Sequence, residues 1–201
     1  MYKSLVFFIA FSTFLSCNTV SQESEELYIK INENLVNSSN AIEASNITIY
    51  RTLKDDSENP ITNSMAKYYE RALTVKDKSD KVCQYIDSIR KVIKIRNNMV
   101  VSKQISNDLF AKLSNYNSDV LSFNNDVGEI FKSDTIIDFL GIKSKMGNEN
   151  SFFDLYFANA EGLKNILVLN MLHNNVRLAE NRIITYCVSN YCKLKIKYVK
   201  P

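Results

Sequence analysis

The fold of this chain is decided by residues 161–191, which read EGLKNILVLNMLHNNVRLAENRIITYCVSNY. The stretch contains no proline, and its single glycine, Gly162, stands at the entrance. Apolar side chains recur along it at helical spacing, at Leu163, Ile166, Leu167, Val176, Ala179, Ile183 and Tyr186. A helix of this length buries such a stripe only against other long helices, so we expect partner helices elsewhere in the chain.

Upstream, residues 25–54 predict a first partner helix. Its apolar positions keep near-heptad spacing, at Leu27, Ile31, Leu35, Ile42, Ile49 and Leu53. Ser38 and Asn46 make the middle of this stripe polar. Such residues either fix the register against a neighbouring helix or face solvent, and both alternatives remain open from the sequence.

Two more long helices are predicted before residue 127. The first starts near Thr62, and its inward positions are Met65, Tyr69, Ala72, Val75, Ser79, Val82, Ile86, Ile89 and Ile93. The second covers residues 102–126, with Leu109, Leu113, Tyr116, Val120, Phe123 and Val127 inward. The sequence thus predicts an all-α bundle of about four long helices, with short helices between Gly128 and Gly162.

The region before residue 162 and the C-terminal end are less regular. Residues 134–141 predict a short docking helix, and the aromatic segment at residues 151–157 fits a short helix or a strand. We expect Phe152, Phe153, Tyr156 and Phe157 to cap the open end of the bundle; the alternative is an aromatic ligand-binding patch. The alternating pattern of residues 192–200 predicts a single strand or an extended tail.

The N-terminus has the pattern of an export signal. One lysine, Lys3, precedes an apolar run of about a dozen residues, which is too short to span a bilayer of roughly 30 Å. The run ends in Ser16-Cys17 and resembles a bacterial lipobox, although Phe14 stands where leucine is usual. We therefore predict a lipoprotein signal peptide at 1–16, lipidation of Cys17, a tether at 17–26 and one helical domain at 27–201. The alternative is an ordinary signal peptide with a chance cysteine, or an uncleaved segment that anchors the chain in the membrane.

No catalytic constellation is visible. His173 is the only histidine, and the chain contains no G-x-S-x-G, P-loop or G-x-G-x-x-G motif. Its 25 basic and 22 acidic residues are well mixed, which leaves no polybasic patch for nucleic acid. We predict no enzymatic activity, no cofactor, no metal and no nucleic-acid partner. Arg177 and Glu180 lie on one helix face, either as an exposed pair or as a buried polar anchor.

Three cysteines remain besides Cys17. In an oxidising compartment, Cys187 and Cys192 form the candidate disulfide, with Cys83 as a free thiol. In a continuous helix the Cα atoms of Cys187 and Cys192 would lie about 8 to 9 Å apart, which is too far for a disulfide bridge. The pair is therefore feasible only if the helix ends near Ser189, and three unpaired buried cysteines are the alternative.

Residues 173–186, HNNVRLAENRIITY, resemble part of the GldM/PorM family, the periplasmic shaft proteins of gliding motility and type IX secretion in Bacteroidota. The family-like motif comprises Asn174, Asn175, Val176, Arg177, Ala179 and Glu180, with Asn175 where the family tends to have aspartate. Residues 39–46 and 68–86 resemble the first helical hairpin of that family. The resemblance covers the family's helical N-terminal periplasmic domain, without its transmembrane helix or its later β-rich domains.

The lipobox-like leader and the resemblance together predict a non-enzymatic envelope lipoprotein whose helical domain is a protein-interaction module accessory to gliding motility or type IX secretion. We expect a lipid anchor in the outer membrane, an envelope protein as partner and, as a further option, a homodimer. The alternative is a periplasmic or surface lipoprotein that reuses the fold for ligand binding or adhesion.

Overall fold

The computed structural model describes residues 22–59, 66–95, 100–126 and 149–198. In these ranges every regular element is an α-helix, which confirms the predicted all-α class. The helices are α1 (Gln22–Glu58), α2 (Ala66–Ile95), α3 (Lys103–Asp126), α4 (Glu149–Tyr156) and α5 (Leu163–Tyr198). The leader with Cys17 and the predicted helix at 134–141 lie outside the described residues. None of the described helices combines the length and apolarity that a bilayer crossing requires.

Helix α5 is the central element, because it packs against both α1 and α2. It begins after Gly162, whose φ of 47° lies in the left-handed region that glycine adopts without a Cβ clash. This turn separates α5 from the short helix α4, which packs against α3. The stretch from which the fold was predicted is therefore the helix around which the others are arranged.

The main apolar core is built by α2, α3, α4 and α5. Ile86 of α2 and Val176 of α5 are fully buried in it, as are Leu109 and Leu113 of α3. The predicted inward faces are thus confirmed on α2 from Ala72 to Ile93 and on α3 for Leu109, Leu113 and Tyr116. The predicted positions Met65, Val120, Phe123 and Val127 lie outside the residues whose side chains are described.

The buried face of α1 differs from the predicted one. Leu27 is 42% exposed, and of the six predicted apolar positions only Leu53 is buried. The buried positions are instead Tyr28, Asn32, Ser39, Asn46, Tyr50 and Leu53. The prediction failed because the polar side chains of α1 find hydrogen-bond partners on α5, which compensates their burial. Leu53 and Tyr50 of α1 join a small second cluster with Ile184, and the partly buried Ile49 packs against it; among the described residues, α1 contributes no side chain to the main apolar cluster.

The aromatic segment forms α4, so its strand alternative is wrong. Phe152 and Phe157 are fully buried, and their ring centroids lie 5.9 Å apart in an edge-to-face contact. The Phe152 ring also lies 5.4 Å from Phe110 of α3. These rings fill the core between α3, α4 and α5, as expected for residues that cap the bundle.

The C-terminal segment is helical through Tyr198, so the predicted strand or extended tail is wrong. Since α5 is continuous past Ser189, the condition for a Cys187–Cys192 bridge is not met. Cys187 is buried and its thiol is free. The side chain of Cys192 lies outside the described set, and the pairing itself stays a prediction.

The buried positions of α2 and α5 define a stability test. We expect Ile86→Ala and Val176→Ala each to cost on the order of 1 to 4 kcal/mol of unfolding free energy, Ile86 toward the upper end, because each leaves a cavity. Lys81→Ala, which removes only an exposed pair with Asp77, should stay within about 0.5 kcal/mol. Denaturant unfolding measures all three, and equal effects would contradict the assigned faces.

Candidate functional site

The most distinctive part of the molecule is a ladder of buried polar contacts between α1 and α5, which we call the polar seam. Asn170 donates to Asn32 at 2.9 Å, and the Ser39 hydroxyl lies 2.8 Å from His173 Nδ1. Further along, Asn181 donates to Asn46 and Tyr50 donates to Glu180, each at 2.8 Å. Each rung joins one residue of α1 to one residue of α5, so the seam determines the axial register of the two helices.

Arg177 lies at the centre of the seam and is only 7% exposed. Its Nη1 donates to Glu180 Oε2 at 2.8 Å and to Asp80 Oδ1 at 2.7 Å, while Nη2 donates to Glu43 Oε1 at 3.3 Å. One guanidinium thus binds carboxylates from α1, α2 and α5. A planar group with five donors can satisfy several carboxylates at once, which a lysine ammonium does less well. Arg177 and Glu180 are therefore the buried polar anchor, and the exposed-pair alternative is wrong.

The seam is connected to α2 and α3 by further polar contacts. Arg90 of α2 donates to Asn170 and pairs with Asp87, and Asp87 lies 3.7 Å from His173 Nε2. On the other side, the Tyr116 hydroxyl of α3 lies 3.0 Å from that of Ser79 and donates to the Val176 carbonyl at 3.3 Å. Polar contacts therefore reach α5 from three neighbouring helices.

Burial sets the protonation states in the seam. It lowers the pKa of His173 to about 4, with the Arg90 guanidinium acting in the same direction against Asp87, so the imidazole is neutral at pH 7. Burial also raises the pKa of Glu180, opposed by hydrogen bonds from Arg177 and Tyr50. At Asp80, burial is outweighed by hydrogen bonds from Lys76 and Arg177, and its pKa is lowered.

The contacts of Arg177 fit a structural role, because its guanidinium joins three helices. Within the described ranges, no group of three His, Cys, Asp or Glu side chains is placed to hold a metal ion. Burial raises the pKa of the Cys83 thiol to about 12, so it carries no nucleophilic thiolate at neutral pH. Every carboxylate on Arg177 is held by a hydrogen bond from its guanidinium.

The predicted family-like motif corresponds to the part of α5 that carries this anchor. Val176 and Ala179 are buried in the main core, Arg177 and Glu180 form the ion-pair centre, and the third group, Asn174 and Asn175, is half-buried. The sequence did not point to Asp80, Glu43 or Tyr50, whose roles depend on contacts across 97, 134 and 130 residues of chain. The sequence held only a weak indication of one of these residues, since Glu43 lies in the segment 39–46 that carries part of the family resemblance.

The fold and seam define a class: an all-α bundle held together by a buried arginine–carboxylate centre. Comparison with protein families then matches residues 26–99 to the GldM N-terminal domain. The match covers nearly all of α1 and all of α2, and it confirms the resemblance to the GldM/PorM family over that region. No curated protein is significantly similar to the chain. The α5 motif lies outside the matched range, and its side chains dock onto the two helices inside it.

Removing the Arg177 guanidinium tests its role as anchor. Arg177→Met leaves the carboxylates of Glu180, Asp80 and Glu43 without their common partner, so we expect a loss of about 3 to 5 kcal/mol in unfolding free energy. Lys76→Met is the matched control, because Lys76 also pairs with Asp80 but is 40% exposed. It should cost less than about 1 kcal/mol. If chemical denaturation gave similar losses for Arg177→Met and Lys76→Met, the ion pairs of Asp80 alone would account for the effect, and Arg177 would not be the anchor.

His173 makes the stability of the bundle dependent on pH. Between its ordinary pKa near 6.5 and its folded pKa of about 4, the unfolded chain binds the additional proton, so acidification favours unfolding. We expect wild-type stability to fall by up to about 3 kcal/mol across this window relative to His173→Gln, which keeps a hydrogen-bonding group beside Ser39. The contributions of Glu180 and Asp80 are common to both proteins. Parallel stability curves between pH 7 and 4 would contradict this assignment.

Proposed function

We propose that the protein is a non-enzymatic envelope lipoprotein whose helical domain is a protein-interaction module accessory to gliding motility or type IX secretion. The observation that carries the proposal is the match of residues 26–99 to the GldM N-terminal domain. Those residues form the hairpin of α1 and α2, to which α5 is fastened by the polar seam.

The outer surface of α1 supports a role in binding. Eight large apolar side chains are exposed among the described residues, and four of them lie on α1: Leu27, Ile29, Val36 and Ile47. Ile29, Val36 and Ile47 fall on one side of α1, and such a row of exposed apolar side chains supports a contact surface for another protein. In the aromatic segment Phe152 and Phe157 are fully buried, so these two rings do not support the ligand-binding alternative.

Lipidation of Cys17 supplies the connection to the membrane in this proposal. The lipobox-like sequence before Cys17 is its support. Intact-mass analysis of membrane-extracted protein should show a mature chain that begins at Cys17 and carries acyl mass. Cys17→Ala should leave the membrane fraction, whereas a soluble wild-type chain with an unmodified Cys17 would contradict the anchor.

A genetic test addresses the module itself. Deletion of the gene in the native cell should reduce protein secretion or surface spreading without abolishing either. Lys30→Glu, an exposed charge reversal on α1, should reproduce part of the defect, and Leu155→Ser on α4 is the matched control. Glu43 is unsuitable for charge reversal because it contacts Arg177. Normal secretion and spreading in the deletion strain would refute the proposal.

A further inference from the structure

The long helices alternate in direction, which brings several helix termini together at one end of the bundle. Within the polar seam, higher residue numbers on α1 pair with higher numbers on α5, so these two helices are parallel. Helix α2 is antiparallel to α5, because Arg90 contacts Asn170 whereas the earlier residue Asp80 contacts Arg177. The C-terminal end of α2 therefore lies beside the N-terminal ends of α1 and α5.

Helix α3 adds its N-terminus to the same end. It is antiparallel to α2, since Lys112 lies over the Tyr85 ring and Asp119, further along α3, pairs with Lys78. The N-terminal ends of α1, α3 and α5 and the C-terminal end of α2 thus lie together, and we call this part of the bundle the proximal end.

Exposed apolar side chains are concentrated at the proximal end. Eight large apolar side chains are exposed among the described residues, and four of them lie here: Leu27, Ile29, Val92 and Val100. Val92 also borders a largely apolar groove of about 210 Å³ between α2 and the start of α3. A group of exposed apolar side chains on several helices at one end of a bundle indicates contact with an apolar surface.

The position of the lipid anchor identifies that surface. Cys17 precedes Gln22, the first residue of α1, by five positions, which even a fully extended chain spans in at most about 18 Å. With Cys17 lipidated, as the proposed function holds, the proximal end lies within this distance of the bilayer. The opposite end is far from it, since Leu73 lies about 28 Å further along α2 than Val92.

We infer that the proximal end is a membrane-contact site, at which Leu27, Ile29, Val92 and Val100 enter the headgroup region of the bilayer that holds the anchor. The bundle then stands on the membrane surface instead of moving freely on its tether. This inference rests on the lipidation contained in the proposed function, and it adds a second contact between the protein and the lipid.

Lysine side chains accompany the apolar ones. Four exposed lysines at the proximal end form no ion pair with another described residue: Lys30, Lys91, Lys94 and Lys103. A lysine can lay its aliphatic stem on apolar surface while its ammonium group reaches the level of the lipid phosphates. Exposed glutamates at this end are equally numerous: Glu25, Glu26, Glu33 and Glu161. Because these charges balance, the contact depends on apolar insertion, and a zwitterionic phospholipid is sufficient for it.

The contact is peripheral. It consists of single side chains from helix ends, and none of the described helices is long and apolar enough to cross the bilayer. A few inserted side chains bind a membrane only weakly by themselves, but a second weak contact stabilises attachment by a lipid chain. The insertion therefore orients a protein that the anchor already holds at the membrane.

Tryptophan fluorescence tests the contact, because the chain contains no tryptophan of its own. Full-length lipidated Val100→Trp protein is incorporated into phosphatidylcholine vesicles with or without bromine on the acyl chains, since bromine quenches a nearby indole. We expect the brominated vesicles to remove most of the emission of this variant. Leu73→Trp is the matched control, because Leu73 is similarly exposed, 40% against 46% for Val100, but lies at the opposite end. It should lose little emission.

A second set of variants separates insertion of the proximal end from insertion of the tryptophan alone. In the Val100→Trp protein, Leu27→Asp together with Val92→Asp should restore most of the emission, because charged side chains resist entry into the bilayer. The protein should still remain on the vesicles through its lipid. Ile47→Asp, also on α1 but away from the proximal end, should leave the quenching unchanged.

Three results would overturn the inference for a lipidated, vesicle-bound protein: no quenching of Val100→Trp, equal quenching of Leu73→Trp, or quenching that survives the two aspartates. Equal quenching would mean that the bundle lies on its side. Circular dichroism of each variant controls for folding, which exposed substitutions should leave intact. Each of these results would refute the membrane contact and retain the proposed function. A wild-type chain without acyl mass that stays in solution would instead refute the anchor and, with it, the contact.

Discussion

The Arg177 guanidinium is the interaction on which the architecture depends. It joins α1, α2 and α5 through carboxylates that are far apart in sequence, and it does so at a site where water is largely excluded. Removing charges from water is costly, so a buried arginine is tolerated only when its partners are accurately placed. The remaining rungs of the seam, from Asn32 to Tyr50, lie on both sides of this centre and extend the same requirement along the helices.

The bundle thus separates two tasks that a uniformly apolar core would combine. The main apolar cluster, drawn from α2 to α5, supplies stability through burial of side chains such as Ile86, Leu113 and Val176. The polar seam contributes less free energy per contact but accepts only one alignment of α1 on α5, because a shift by one turn would leave buried donors and acceptors unpaired. This division explains why α1 is well positioned although it contributes few side chains to the apolar clusters.

Helix existence, the buried face of α2 and part of that of α5 could be predicted, because there the apolar periodicity coincides with the packing. The inner face of α1 could not, since its apolar stripe, including Leu27 and Ile31, is displaced from the face that α5 selects. Helical periodicity identifies a buried face from its apolar side chains. It does not identify asparagines and serines that are buried because a partner helix supplies their hydrogen bonds. The contact of Arg177 with Asp80 could not be predicted either, because it depends on tertiary structure. The Arg177–Glu180 pairing could, because the two residues are three apart on one helix.

The polar inner face of α1 also matters while the chain is being made. Ser39 and its partner His173 are 134 residues apart, so at ordinary synthesis rates α1 waits roughly 7 to 27 s for the helix that will cover it. An α1 with a leucine-rich inner face would expose a long apolar ribbon throughout that interval and invite aggregation. A face made of asparagine, serine and tyrosine stays hydrated until α5 arrives. The seam therefore lets the first helix of the chain be completed long before its partner exists.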